Sequence, residues 1–143
     1  MTRIDFYLDA DDRLQVACRL AAKAIAQARK VLIYAPDGEV AKALDRMMWT
    51  TPAIAFVPHV MADHRLAPET PVVIARDADA PAHDDVLVNL DRERPASFAR
   101  FERVVEIVGR DEDEKQAARE RYRFYRDRGY EIHTHRLGGA GDG

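Results

Sequence analysis

Apolar residues in this chain fall into short continuous runs separated by stripes at helical spacing. Apolar steps of three and four over residues 12–30 predict one helix, and a second is expected from Asp37, a helix-capping residue, to about Trp49. The continuous runs predict five mostly buried strands at residues 4–8, 30–35, 71–75, 85–90 and 103–109. Such alternation favours an α/β fold, a three-layer α/β/α domain with a mostly parallel five-stranded sheet in Rossmann-like outline.

The length of the chain limits it to one domain. A chain of 143 residues can bury one core but is too short for two ordinary domains, so we expect a single domain over residues 1–137. The terminal stretch LGGAGDG has no apolar residue larger than alanine after Leu137 and is rich in glycine. Residues 138–143 are therefore predicted to be a disordered tail.

Composition narrows the setting in which the protein works. Hydrophobic residues make up 47% and charged residues 33%, and no window approaches the roughly 18 uninterrupted apolar residues of a membrane span. The start MTRIDFYLDADD is acidic where a signal peptide needs a basic end, so we expect a cytoplasmic protein with no membrane contact. Cys18 lies on a helical apolar stripe and is predicted to be a buried, inert thiol. A net charge of -3 argues against a wholly DNA-binding surface and leaves room for a local basic site.

The loops that hold phosphate in many α/β folds are missing from this sequence. After the first predicted strand comes DADDRL, with three aspartates and no glycine, where carboxylates would repel phosphate. After the second strand, APDGEVAKAL contains one glycine and one lysine at the wrong spacing for a P-loop. We therefore predict the Rossmann-like outline without a phosphate-binding loop.

Residues typical of catalytic and metal sites are present but form no convincing cluster. The only serine, Ser97, is expected near a helix start, and the acidic run at residues 111–114 is interpreted as a helix N-terminus. His133 and His135 would share one side of a strand, but two imidazoles without a third ligand indicate a metal site only weakly. The sequence predicts no enzyme, no cofactor and no metal.

The stretch MMWTTPAIAFVPHVM, residues 47–61, concentrates apolar side chains around two prolines. It contains the sole tryptophan and three methionines, and its prolines predict an apolar loop. Single residues of this loop would close the core. As an exposed group, they have the composition of a protein–protein interface.

A second unexplained stretch, DEKQAARERYRFYRDRGY, predicts a helix with a basic and aromatic stripe. At 100° per residue, four side chains fall within one narrow sector: Lys115, Arg119, Tyr122 and Arg126. The core face of the same helix is predicted to comprise Ala117, Ala118, Phe124 and Tyr125. The stripe suits an acidic peptide with an apolar end or a few nucleotides, and it is also compatible with a solvated basic face.

Three segments together resemble the chi subunit family of bacterial DNA polymerase III: DFYL, LDRMMWTTPAIAFVPH and EKQAARERYRFYRDRGY. This resemblance implies a three-layer α/β fold with a five-stranded sheet and no catalytic activity. It also implies two partners. One surface would bind the psi subunit of the clamp-loader complex. The other would bind the acidic C-terminal tail of single-stranded DNA-binding protein, which ends in an apolar residue with a free carboxylate.

The resemblance also assigns residues to these two partners. The tail would be held by Lys115, Arg119 and Tyr122, to which the helical angles add Arg126. The psi subunit would contact Trp49, Pro52, Phe56, Val57, Pro58 and His59. The chain would then be a monomer or a heterodimer with psi, reaching DNA only indirectly. Two alternatives remain: a degenerate nucleotide-binding enzyme that uses the C-terminal edge of the sheet, and a basic helix that binds nucleic acid directly.

Overall fold

The computed structural model describes residues 2–51, 57–77 and 83–137 of the chain. Within these residues there are three α-helices, seven strands and two short 3-10 helices, Ala67–Glu69 and Phe98–Arg100. The helices are α1 (Arg13–Ala26), α2 (Gly38–Thr50) and α3 (Glu112–Asp127). The strands are β1 (Arg3–Ala10), β2 (Val31–Tyr34), β3 (His59–Met61), β4 (Val72–Ala75), β5 (Val86–Asn89), β6 (Arg103–Gly109) and β7 (Glu131–Arg136).

All seven strands run parallel in one sheet, in the order β3-β4-β2-β5-β6-β1-β7. The predicted α/β class and all five predicted strands are confirmed, but the sheet has seven strands rather than five. The two additional strands, β3 and β7, are its edges. An edge strand is covered less completely than a central one, so its sequence lacks a continuous apolar run: β7 reads EIHTHR.

Helices cover both faces of the sheet, as the three-layer prediction requires. On one face, α1 and α2 pack over a core that includes Cys18, Leu44 and Met48, and Cys18 is fully buried as predicted. On the other face, α3 packs through Ala118 and Tyr125 against Ile4 and Phe6 of β1. Continuous runs such as VLIY in β2 are buried because both of their faces meet a core.

Aspartate side chains cap the start of each α-helix. Asp12 accepts hydrogen bonds from the backbone N–H groups of Leu14 and Gln15, at 3.1 and 3.2 Å. Asp37, the predicted cap of α2, accepts from Glu39 at 2.9 Å. Asp111 caps α3, so the acidic run at residues 111–114 is a helix N-terminus as predicted. Negative charge there complements the helix dipole.

The apolar segment at residues 47–61 is more regular than predicted. It begins inside α2, which extends to Thr50, and ends in strand β3. Its start lies in the second helix, which was predicted to run to about Trp49, whereas the prediction of a loop was wrong for its end, which forms β3. Two of the predicted psi contacts, Pro52 and Phe56, lie outside the described residues, as does the predicted tail at residues 138–143.

A buried polar network fastens α3 to the sheet. Glu106 in β6 is fully buried and accepts hydrogen bonds from Asn89 Nδ2 at 3.0 Å, Arg121 Nε at 3.0 Å and the Tyr125 hydroxyl at 2.7 Å. Burial, and then the Glu106 charge, raise the pKa of Tyr125, so its hydroxyl remains protonated and donates. Arg121 also donates to the carbonyl of Arg92 at 2.5 Å. The network fixes which face of α3 is turned to solvent.

Candidate functional site

A groove opens between α3 and the C-terminal ends of strands β6, β1 and β7. Its volume is about 430 Å³, and we call it the α3 groove. Its lining comprises Phe6, Leu8, Asp9, Val108, Gly109, Lys115, Ala118, Arg119, Tyr122, Thr134 and Arg136. Three of the four residues of the predicted stripe therefore line one concave surface, together with apolar residues from the strands.

Tyr122 connects the exposed rim of the groove to its apolar floor. The side chain is 38% exposed, and its ring lies 5.5 Å from that of Phe6 between centroids, in a tilted arrangement. Leu8 and Val108 extend the apolar surface along the neighbouring strands. Such a floor can accept an apolar ligand side chain against an aromatic face.

The cations on the helix side of the groove are available to a ligand. Within the described residues, Lys115 forms no ion pair and is half-buried. Arg119 is 53% exposed, and its Nη1 atom lies 3.3 Å from Glu112 Oε1 and 3.1 Å from Gln116 Oε1. Exposed pairs of this kind contribute little to stability, so a ligand carboxylate can replace Glu112 at small cost.

Arg136 and Asp9 line the strand side of the groove and were missed by the sequence analysis. Arg136 Nη1 lies 3.1 Å from Asp9 Oδ2. Asp9 has a φ of +64° and sits where the register between β1 and β6 is irregular. Because the strand considered for His133 and His135 was not placed in the predicted five-stranded sheet, nothing in the sequence put Arg136 near α3. The alternation of side chains in EIHTHR is the signal that would have indicated a strand there.

Arg126, the fourth residue of the predicted stripe, is positioned differently from the other three. It is exposed, and its Nη2 atom lies 3.0 Å from Asp127 Oδ1. It is not among the described residues that line the groove. Its angle on the helix agrees with the stripe, but it lies one turn beyond Tyr122, past the part of α3 that borders the groove.

A second candidate surface surrounds Trp49 at the end of α2. The Trp49 side chain is 61% exposed, and its ring centroid is 4.6 Å from that of His59 in the edge strand β3. His59 is buried, and its Nδ1 atom lies 3.0 Å from the carbonyl oxygen of Val57. We call Trp49, Val57, Pro58 and His59 the Trp49 patch. It lies at the β3 edge of the sheet, opposite the β7 edge that borders the α3 groove.

His59 is held from the helix side as well. Asp45 Oδ1 in α2 lies 3.3 Å from His59 Nε2, an ion-pair distance without the geometry of a hydrogen bond. Val57 is half-buried and Pro58 is exposed. The patch thus exposes one large aromatic ring supported by a fixed imidazole.

The turn after β1, where related α/β folds bind phosphate, is rich in acidic residues in this chain. A cavity of about 550 Å³ beyond β1 and β6 is bordered by Asp11, Asp12, Asp111 and Glu114. The two arginines at the same cavity are already paired, Arg13 with Glu114 at 2.8 Å and Arg110 with Asp11 at 2.7 Å. This arrangement disfavours nucleotide phosphate, in agreement with the missing glycine loop.

The described part of the chain contains neither a metal-binding cluster nor a membrane-spanning helix. Among residues 2–51, 57–77 and 83–137, no group of three or more His, Cys, Asp or Glu side chains is arranged to hold a metal ion. None of the helices in those ranges is long and apolar enough to cross a membrane.

Comparison with solved structures supports the fold assignment. The C-terminal domain of S. cerevisiae Dbp5, solved bound to Gle1 and IP6, matches with a TM-score of 0.58 over 95% of this chain and 90% of that one. The two sequences are 10% identical, so the similarity is one of fold alone. The fold therefore places this chain in the class of three-layer parallel α/β domains.

Sequence comparison identifies the family. A family model described as DNA polymerase III chi subunit, HolC, matches residues 1–133. The protein named DNA polymerase III subunit chi from Pseudomonas aeruginosa is 40% identical over 141 residues, which covers 96% of this chain and 98% of that protein. The subunits chi of Escherichia coli and Haemophilus influenzae are 37% and 30% identical and cover 84% and 87% of this chain. The chain belongs to the DNA polymerase III chi subunit family and is an accessory subunit in DNA replication.

Proposed function

We propose that this chain is a non-catalytic bridge within the DNA polymerase III holoenzyme. Its α3 groove binds the acidic C-terminal tail of single-stranded DNA-binding protein, and its Trp49 patch binds the psi subunit, which links it to the clamp loader. The chain acts in the cytoplasm as a monomer or a heterodimer with psi. It contacts DNA only indirectly and uses no cofactor.

The observation that supports tail binding most directly is the pairing of an apolar floor with cations that a ligand can reach in one groove. A tail that ends in an apolar residue with a free carboxylate needs both features side by side. Arg119 supplies a planar guanidinium for a carboxylate, and Lys115 supplies a second cation. Tyr122 and Phe6 supply the apolar contact. Arg126 serves as an outlying cation for acidic residues that precede the end of the tail.

Binding of psi is supported by the exposed ring of Trp49 beside Pro58. Aromatic and proline side chains are frequent in the buried centres of protein interfaces. Pro52 and Phe56 join the proposed surface through the family resemblance, with Val57 and His59 as its support. Because the two surfaces lie at opposite edges of the sheet, both partners can bind at once.

Many copies of the tail on one DNA strand would strengthen the link between this chain and the coated strand. A coated DNA strand presents many identical tails, so the local concentration of tail near a bound chi subunit is high. A single weak contact in the groove is then sufficient to retain the clamp loader on coated DNA, and it can still release quickly.

The tail site is tested by titrating a synthetic peptide with the acidic, apolar-ended sequence of the tail against the whole protein by calorimetry. We expect Arg119→Ala to weaken binding by at least about 2 kcal/mol, or about 30-fold, because a hot-spot cation is lost. Arg123→Ala, an exposed arginine on the same helix, is the matched control and should bind normally. Equal affinity of wild type and Arg119→Ala would rule out the site. Tight binding of a bare oligonucleotide without the peptide would favour direct DNA binding instead.

A further inference from the structure

We propose that Arg136 and Asp9 set the affinity of the α3 groove from its strand side. Arg136 binds a carboxylate of the acidic tail, and Asp9 competes with the tail for the same guanidinium. This inference rests on the proposed function, because it concerns the affinity of the groove for an acidic peptide. It adds a specificity-determining pair to the helical residues already named.

The geometry brings Arg136 to the groove from a second element. The Arg136 side chain is 77% exposed and lines the groove from β7, whereas Lys115 and Arg119 line it from α3. The backbone of β7 is fixed at this point, because Arg136 is in register with Leu8 and the N–H of Leu137 donates to the Leu8 carbonyl at 2.8 Å. A peptide in the groove therefore has cations on two sides.

Asp9 is held at the groove by its backbone as well as by its partner. Its φ of +64° is a left-handed conformation that Asp and Asn tolerate and most other residues do not. The irregular register of β1 at this point ends regular pairing between Tyr7 and Ala10. The carboxylate is 23% exposed and lies 3.1 Å from Arg136. It is a fixed negative charge in a groove whose other charged residues are cations.

This pair occupies Arg136 when no ligand is present. An incoming carboxylate has to share the guanidinium with Asp9 or displace it, and it also meets the repulsion of Asp9 itself. An ion pair this exposed is weak, so the exchange is feasible but lowers the net affinity. The affinity of the groove for an acidic peptide is consequently lower than its three cations would give without Asp9.

The test measures tail-peptide affinity for two single variants of the whole protein. Arg136→Ala should weaken binding about five-fold, since a cation is lost and Asp9 is left unopposed. Asp9→Asn should strengthen binding about three-fold, since the competing charge is removed while Asn retains the left-handed backbone. The two variants change affinity in opposite directions, which general destabilisation cannot produce.

Matched controls carry the same charge changes at the far edge of the sheet. Asp63→Asn and Arg65→Ala lie in the exposed segment after β3 and should leave peptide affinity at the wild-type value. Thermal unfolding of each variant verifies folding. If Arg119→Ala weakens binding but Asp9→Asn and Arg136→Ala match the controls, this inference is overturned and the proposed function stands. If Asp9→Asn weakens binding, the competitor role is excluded. If wild type does not bind the peptide, both proposals fail.

Discussion

The α3 groove and the Trp49 patch differ in how much of each surface the chain itself completes. The groove is built from one long helix and the ends of three adjacent strands, β6, β1 and the edge strand β7, and these elements set the positions of its cations. The patch consists of the last turn of α2, a three-residue edge strand and one largely exposed tryptophan. A preformed groove can recognise a short flexible peptide. An exposed ring requires a partner with its own complementary surface.

The two surfaces also differ in their physical means of binding. Charges dominate the groove, so salt should weaken its complexes because exposed charges are screened within about 10 Å at 0.1 M. Apolar area dominates the patch, whose complexes should be much less sensitive to salt.

The groove should depend on the buried network beneath α3, whereas the patch should not. Arg121→Ala leaves Glu106 buried without its main cationic partner, so we expect the free energy of unfolding to fall by about 3–5 kcal/mol. Chemical denaturation measures this loss. Arg123→Ala, exposed on the same helix, should change stability by less than about 0.5 kcal/mol. A loss below about 1 kcal/mol for Arg121→Ala would mean that the network does not hold α3.

The patch should be disabled without any effect on the groove. Trp49→Glu introduces a charge at the centre of the proposed interface, so psi binding should weaken by at least about 2 kcal/mol while tail-peptide affinity is unchanged. The ring is mostly exposed, and folding should tolerate the change. Surface plasmon resonance with immobilised psi measures the effect, and Thr50→Glu provides the same charge one residue away. Undiminished psi binding by Trp49→Glu would contradict the assignment.

The β7 side of the molecule should be sensitive to acid. Burial alone would raise the pKa of Asp5, but hydrogen bonds from Arg103 at 2.7 Å and His135 at 2.9 Å, with the Arg103 charge and Arg3, hold that pKa below its ordinary value. The ionised carboxylate therefore stabilises the fold above its unfolded pKa, and this contribution is lost as the pH falls below about 4. Asp5→Asn should cost about 1–2 kcal/mol at pH 7.

The stability difference between wild type and Asp5→Asn should narrow on acidification, which denaturation at a series of pH values measures. A difference that stays constant from pH 7 to pH 3 would show that the pKa of Asp5 is the same in the folded and unfolded states. Because Asp5 connects β1 to β7, the same loss should appear first in the amide protection of β7.

Sequence patterns predicted the central part of this fold well because its elements have simple periodicities. Buried parallel strands give continuous apolar runs, and residues 72–75 and 86–89 were found for that reason. The edge strands were missed because β3 follows two prolines and β7 is mostly polar. Arg121 was not recognised as buried, although its helical angle of about 240° from Lys115 lies within the predicted core arc. An arginine in that arc is buried only if the core supplies an ion-pair partner, as Glu106 does for Arg121. The sequence alone does not show that the two side chains meet.

By itself, the sequence determined the α/β class, the absence of a phosphate-binding loop, the family resemblance and the helical stripe that contains Lys115, Arg119 and Tyr122. These properties follow from local spacing and residue type along a continuous chain. Only the tertiary structure decided that the stripe faces an apolar floor, that Arg126 lies beyond the groove, and that Arg136 and Asp9 enter it from the strands. The contacts of Phe6 with Tyr122 and of Asp9 with Arg136 join residues more than 100 positions apart, and they depend on which strands become neighbours in the sheet.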